Sequence, residues 1–175
     1  MCEDIYTGSG CHEMRKEMIR IYRGGISEII SFAGSLNGKD LTLMNAQFPP
    51  VTICHPIWTL GHLSVSAQSI GGEIGIQGWL DPSWEDLFGQ MSDPSSDASR
   101  YPDRTTLVDA LKESINRVCS GVESLTDDEL QGPIPDERFR VSLPTCAHAL
   151  GSILIDHVAE HRRMLLLWRY FVLQK

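Results

Sequence analysis

The sequence predicts an all-α protein built as a four-helix bundle, and three observations carry that prediction. Four apolar patterns recur at helical spacing, with no internal repeat or low-complexity tract. The stretch 51–72, VTICHPIWTLGHLSVSAQSIGG, holds no Asp, Glu, Lys or Arg, as a helix sunk among others would. A long connection, GWLDPSWEDLFGQMSDPSSDASRYPD, is rich in Pro, Ser and Asp. It can return along a bundle about 30 Å tall, which takes only about ten extended residues, and so lets helices two and three run parallel.

The first helix is expected over about 11–33. Met14, Met18, Ile21, Gly25, Ile29 and Phe32 share a face, while Glu13, Arg15, Lys16, Glu17, Arg20 and Arg23 lie largely elsewhere. Gly24 and Gly25 mark a kink or a close helix contact. The second helix, about 56–70, opens at Pro56, whose missing N–H goes unmissed in a first turn, and fades at Gly71 and Gly72. The segment has the length of a membrane span, but its two histidines, serines, threonines, Gln68 and Pro56 are too polar for one. In the connection, SWEDLFG has room for one short helical turn.

The third helix, about 105–125, places Leu111, Ile115, Val118, Val122 and Leu125 at alternating steps of four and three, which is a bundle seam. DERFRVSLP then reads as irregular or weakly extended. The fourth helix, about 145–173, follows Pro144 with Thr145 as N-cap. Its seam runs Ala147, Leu150, Leu154, His157, His161, Met164, Trp168, Phe171, so both histidines of HVAEH sit within it.

A length of 175 residues fits one domain spanning 1–175. The net charge of −8 argues against nucleic acid as a partner, because such affinity comes from clustered Lys and Arg releasing counterions. MCEDIYTGSG does not read as a secretory signal. The five cysteines, Cys2, Cys11, Cys54, Cys119 and Cys146, contain no C-x-x-C, which suits thiols in a reducing cytoplasm.

Residues four apart on a helix project from one face about 6 Å from each other, close enough for two imidazoles to share one ion. His157 and His161 hold consecutive seam positions where Leu or Ile would pack, so their ring nitrogens need partners. His62, on the charge-free helix, is the leading third ligand. Thr59, Ser66 and Ser69 on its side can line a polar cavity beside Trp58 and Val65, or accept its hydrogen bond instead. His148 faces away from the pair, His55 is placed for capping or exposure, and His12 for exposure. HVAEH also spells the H-x-x-E-H peptidase pattern, but that chemistry needs a downstream acidic ligand, and no Asp or Glu follows His161.

W-x-L-G-H-L (Trp58 to Leu63), D-H-V-A-E-H-R-R (Asp156 to Arg163) and LTDDEL (Leu125 to Leu130), in this helix order and with this crossover, resemble the DinB-like four-helix-bundle metalloproteins. The resemblance covers nearly the whole chain. It implies a left-handed bundle in up-down-down-up order, a homodimer, and a divalent ion on His62, His157 and His161. It also brings characterised relatives that act on low-molecular-weight thiols: bacillithiol S-transferases and the mycothiol-dependent maleylpyruvate isomerase. W-x-L-G-H is similar as well to the helical half of ergothioneine-pathway sulfoxide synthases, whose second large domain has no counterpart here.

Three neutral imidazoles leave an ion an open position for a small-molecule substrate, the pattern of a catalytic rather than a structural site. Thiol or water bound there loses a proton more easily. The expectation is therefore a metal-dependent S-transferase or hydrolase using zinc or nickel, with manganese or iron as alternatives and a low-molecular-weight thiol as co-substrate. Glu160 is the candidate base. Arg162 and Arg163 read as a solvated flank, and nothing in the sequence marks Cys54 or Cys146 as an activated nucleophile. The competing expectation is a noncatalytic, metal-binding or stress-associated dimeric bundle.

Overall fold

A computed structural model describes residues 8–37, 41–44 and 54–173. Cys2, and residues 51–53 of the charge-free stretch, lie outside the described residues. The architecture is all-helical, with no strand among the described residues. The long elements are α1 (Gly8–Gly34), α2 (Pro56–Glu73), α4 (Arg104–Ser124) and a final rod. That rod comprises α6 (Cys146–Gly151), wide π turns over Ser152–His157, α7 (Val158–Trp168) and further π turns over Arg169–Leu173. Among the described residues there are also two short α-helices, α3 (Ser83–Phe88) in the crossover and α5 (Asp127–Gln131) within LTDDEL.

Side chains at the helix starts take up backbone donors that have no partner inside the helix. Asp103 accepts from the N–H groups of Thr105 and Thr106 at α4, and Thr145 accepts from His148 N–H at α6. Thr126 and Glu129 form a reciprocal capping box at α5. At α2 the cap is His55, whose Nδ1 accepts from Trp58 N–H at 3.1 Å, and Pro56 occupies the first turn.

Contacts along the helices give their relative directions. Gly25 meets Val158, Glu28 meets Arg162 and Phe32 meets Trp168, so α1 and the final rod run the same way. Arg104 donates to the carbonyls of Ala33 and Leu36, Arg23 to Asn116 and Arg15 to Asp127, so α1 and α4 run oppositely. His62 faces His157 while Trp58 faces His161, so α2 also opposes the rod. Tyr101, just before α4, packs on His55 at the head of α2, and Gly121 near the end of α4 meets Ile74 and Ile76 just past α2. Helices α2 and α4 thus run together, the arrangement that a long crossover permits.

Two seams are rotated from their expected positions. On α1 the deepest residues are Cys11, Tyr22, Ile26, Ile29 and Ala33, while Met14, Ile21 and Phe32 are half-buried, because α1 wedges between α4 and the rod and must bury two flanks. On the rod the stripe passes from Leu154 to Val158, His161, Leu165, Trp168 and Val172. The π turns, wider than α turns, advance the register there and leave His157 at the margin. Helix α1 runs unbroken through Gly24 and Gly25. Gly25 is the close contact, since a Cβ there would stand 2.8 Å from Val158 Cγ1. The seam of α4 is buried from Leu107 through Val122, with Leu125 serving as C-cap, and DERFRVSLP contains a 3-10 turn at Glu137–Phe139.

Candidate metal centre

Helix α2 is buried on nearly every side, so His62 sits in the bundle at only 6 % exposure. From the rod, His161 reaches the same point at 5 % exposure, and His157 at the margin is half-buried. The three rings meet through their Nε2 atoms. His157 Nε2 lies 3.1 Å from His62 Nε2 and 3.0 Å from His161 Nε2. One ligand atom from each residue lies within 4.8 Å of the others, a grouping that could hold a metal ion.

The donor chemistry fits a cation. A neutral imidazole carries one N–H, so His157 Nε2 can donate to one neighbour but not to both. His62 has no Nε2 proton to contribute: its Nδ1 lies 2.7 Å from the Phe88 carbonyl, which can only accept, so the proton is on Nδ1. The Nδ1 atoms of His157 and His161 are buried and without a hydrogen-bond partner. Burial holds His62 down to about 4, with the Phe88 carbonyl opposing and His157 adding to the fall. It holds His161 down to about 3, helped by His157 and His62, and it lowers His157 as well. All three are thus neutral at pH 7, the state in which imidazole ligates.

The crossover supports this site. Three ring N–H groups on one face of the α2 start, from His55 Nε2, Trp58 Nε1 and His62 Nδ1, donate to Ser95 O at 2.9 Å, Ser92 Oγ at 3.0 Å and Phe88 O at 2.7 Å. The crossover is therefore zipped antiparallel along α2. Tyr101 Oη accepts from Ser95 N–H and secures the far end. Trp58 stacks on His62 with centroids 4.3 Å apart and 13° between planes, and also borders His161. A backbone carbonyl behind a histidine fixes its tautomer and aim, as expected for a metal ligand.

Other residues fall outside the cluster. Thr59 spends its hydroxyl on the His55 carbonyl and Ser69 is exposed, and the His62 hydrogen bond goes to the Phe88 carbonyl rather than to either hydroxyl. His55 caps α2, as one of its expected roles required, yet is fully buried because the crossover covers it. His148 is exposed and bonds Thr145, and His12 is exposed. Arg162 pairs with Glu28 at 2.7 Å. Burial pushes the Cys54 and Cys146 thiols up to about 11, which leaves both protonated. Glu160 is exposed, and its charge raises Cys54 further, which places it toward the start of α2. Phe88, Ser92 and Ser95 were invisible from sequence because each acts through a backbone carbonyl or a lone hydroxyl brought near by the fold. The Gly61–His62 pair was the available signal.

Among known proteins, the family model of the DinB superfamily matches residues 39–165, a span that contains all three histidines. No curated protein sequence matches the chain.

Proposed function

The chain belongs to the DinB superfamily, and from that premise we propose that His62, His157 and His161 bind one divalent metal ion in an enzyme that activates a low-molecular-weight thiol or water. The carrying observation is the convergence of three neutral imidazoles whose close Nε2 contacts a single shared proton cannot satisfy. An ion held by these three residues would supply Lewis acidity to a thiol or water. His62 is held for that role by the Phe88 carbonyl behind its ring and by the Trp58 indole stacked on it. Glu160, exposed one residue before His161, is the group we assign to take up the proton of the incoming thiol or water. Zinc or nickel suits three imidazoles, with manganese or iron as alternatives.

We read the chain as one DinB-like domain, with the helix directions supporting up-down-down-up order, and we place it in the cytoplasm on its cysteine usage. Among the described residues no helix is long and apolar enough to cross a membrane. The noncatalytic, dimeric reading draws on the exposed Leu166, Leu167 and Tyr170 of the rod, a surface for a second copy.

The test is metal analysis of protein purified without an affinity tag, followed by thiol consumption with an alkylating electrophile. We expect one ion per chain, lost in His62→Ala, and turnover abolished by chelation. Metal content unchanged in His62→Ala would reject the site; metal bound without turnover would favour the noncatalytic bundle.

A further inference from the structure

We propose that Gly61 is a positioning residue for the metal centre, acting through Phe88 on His62. The inference rests on the metal reading above and deepens it. A Cβ at position 61 would overlap the Phe88 ring at Cδ1, Cε1 and Cγ, so the ring lies against the α2 backbone only because residue 61 has no side chain. The ring has no room to swing aside. It is fully buried, edge-on to Trp84 at 5.3 Å and stacked with Tyr101 at 5.5 Å. A side chain at 61 therefore displaces Phe88 as a whole, backbone included.

That backbone carries the atom that matters. Phe88 is the last residue of α3, where a carbonyl has no partner within the helix, and it accepts from His62 Nδ1–H at 2.7 Å. If this acceptor moves away, the proton of His62 has another place to go: on Nε2 it can donate to His157 Nε2, 3.1 Å away. An Nε2 that carries a proton has no lone pair for an ion. Gly61 thus selects between a ligating and a non-ligating tautomer of the His62 ring by way of Phe88.

The experiment compares the wild-type chain, Gly61→Ala and the double variant Gly61→Ala with Phe88→Leu, in which the overlapping ring is gone and the carbonyl can return. Nitrogen-resolved NMR of the metal-free proteins reads the His62 tautomer, and competition with a chelator reads zinc affinity. Wild type should hold the Nδ1–H form. Gly61→Ala should populate the Nε2–H form and bind zinc about 10- to 100-fold more weakly, the usual cost of losing such a support. The double variant should recover most of both. Alanine is the better helix residue, so helix propensity cannot produce the loss. Wild-type tautomer and zinc affinity in Gly61→Ala overturn the proposal, as does a folded double variant that recovers neither. A wild-type chain that binds neither zinc nor nickel sinks the metal reading instead, while the tautomer comparison still decides the role of Gly61.

Discussion

Nε2 of His157 lies 3.0 Å from Nε2 of His161, one turn further along the same rod, with Nδ1 of both rings buried and unpartnered. A cation shared by His62, His157 and His161 would take up the Nε2 lone pairs that one proton cannot satisfy among the three. Zinc at 100 times its dissociation constant should then add about 2.7 kcal/mol to stability, read as a rise in melting temperature that a chelator reverses. His157→Ala should remove the rise; an equal rise in that variant would show that the ion binds elsewhere.

Acid should weaken the metal-free chain through His55. Its pKa is lowered from 6.5 to about 4 by burial, against the opposing pull of its hydrogen bonds to carbonyls. The unfolded chain takes up this proton near 6.5 and the folded chain only near 4. Stability is thus complete above about 6.5 and falls as pH drops toward 4, by on the order of 3 kcal/mol for this residue. His62 and His161 act in the same direction. His55→Asn keeps a good capping residue, and urea midpoints across this range should show a flatter profile for it.

Gly25→Ala should crowd the junction of α1 with the rod. The new Cβ would meet Val158 Cγ1 at 2.8 Å, beside His157, and overpacking of this kind costs about 1–3 kcal/mol. Urea unfolding would measure it, and a midpoint equal to wild type would mean that the two helices separate at no cost.

Two substitutions on the rod should differ widely in cost. Arg162→Ala breaks an ion pair whose partners are 52 % and 57 % exposed, and should cost under about 1 kcal/mol with metal content unchanged. Trp168→Ala removes a fully buried indole whose N–H donates to the Leu43 carbonyl at 2.7 Å, and should cost about 3–5 kcal/mol. Parallel thermal melts of the two variants make the comparison.

Glu160→Gln keeps the shape of the exposed side chain and removes its basicity. With Glu160 as proton acceptor, the variant should retain the ion and lose about 10²- to 10⁴-fold in turnover. Full turnover with the ion in place would return Glu160 to the status of a solvated helix charge.

Helix type and the histidine pair were legible in the sequence for the same reason: both depend on short spacings. The seam of α4 follows steps of three and four, and the i, i+4 relation of His157 to His161 follows one helical turn. The seam of α1 was legible only to within about a residue, because a helix touching two neighbours has a broad apolar face whose centre the pattern does not locate. The rod misled differently. Its π turns shift the register after Gly151, and no residue there announces the wider turn.

By itself the sequence determined that the chain is helical, that α2 is sunk among other helices, and that two histidines share a face. Those properties arise from composition and from periods of a few residues. Only the tertiary structure decided that His62 joins the pair from a helix ninety-five positions away, that Phe88 rather than a neighbouring hydroxyl fixes its tautomer, and that Gly61 makes room for Phe88. Such relations depend on which backbones approach closely after packing. A carbonyl oxygen, which every residue possesses, leaves no mark in sequence until the fold brings a donor to it.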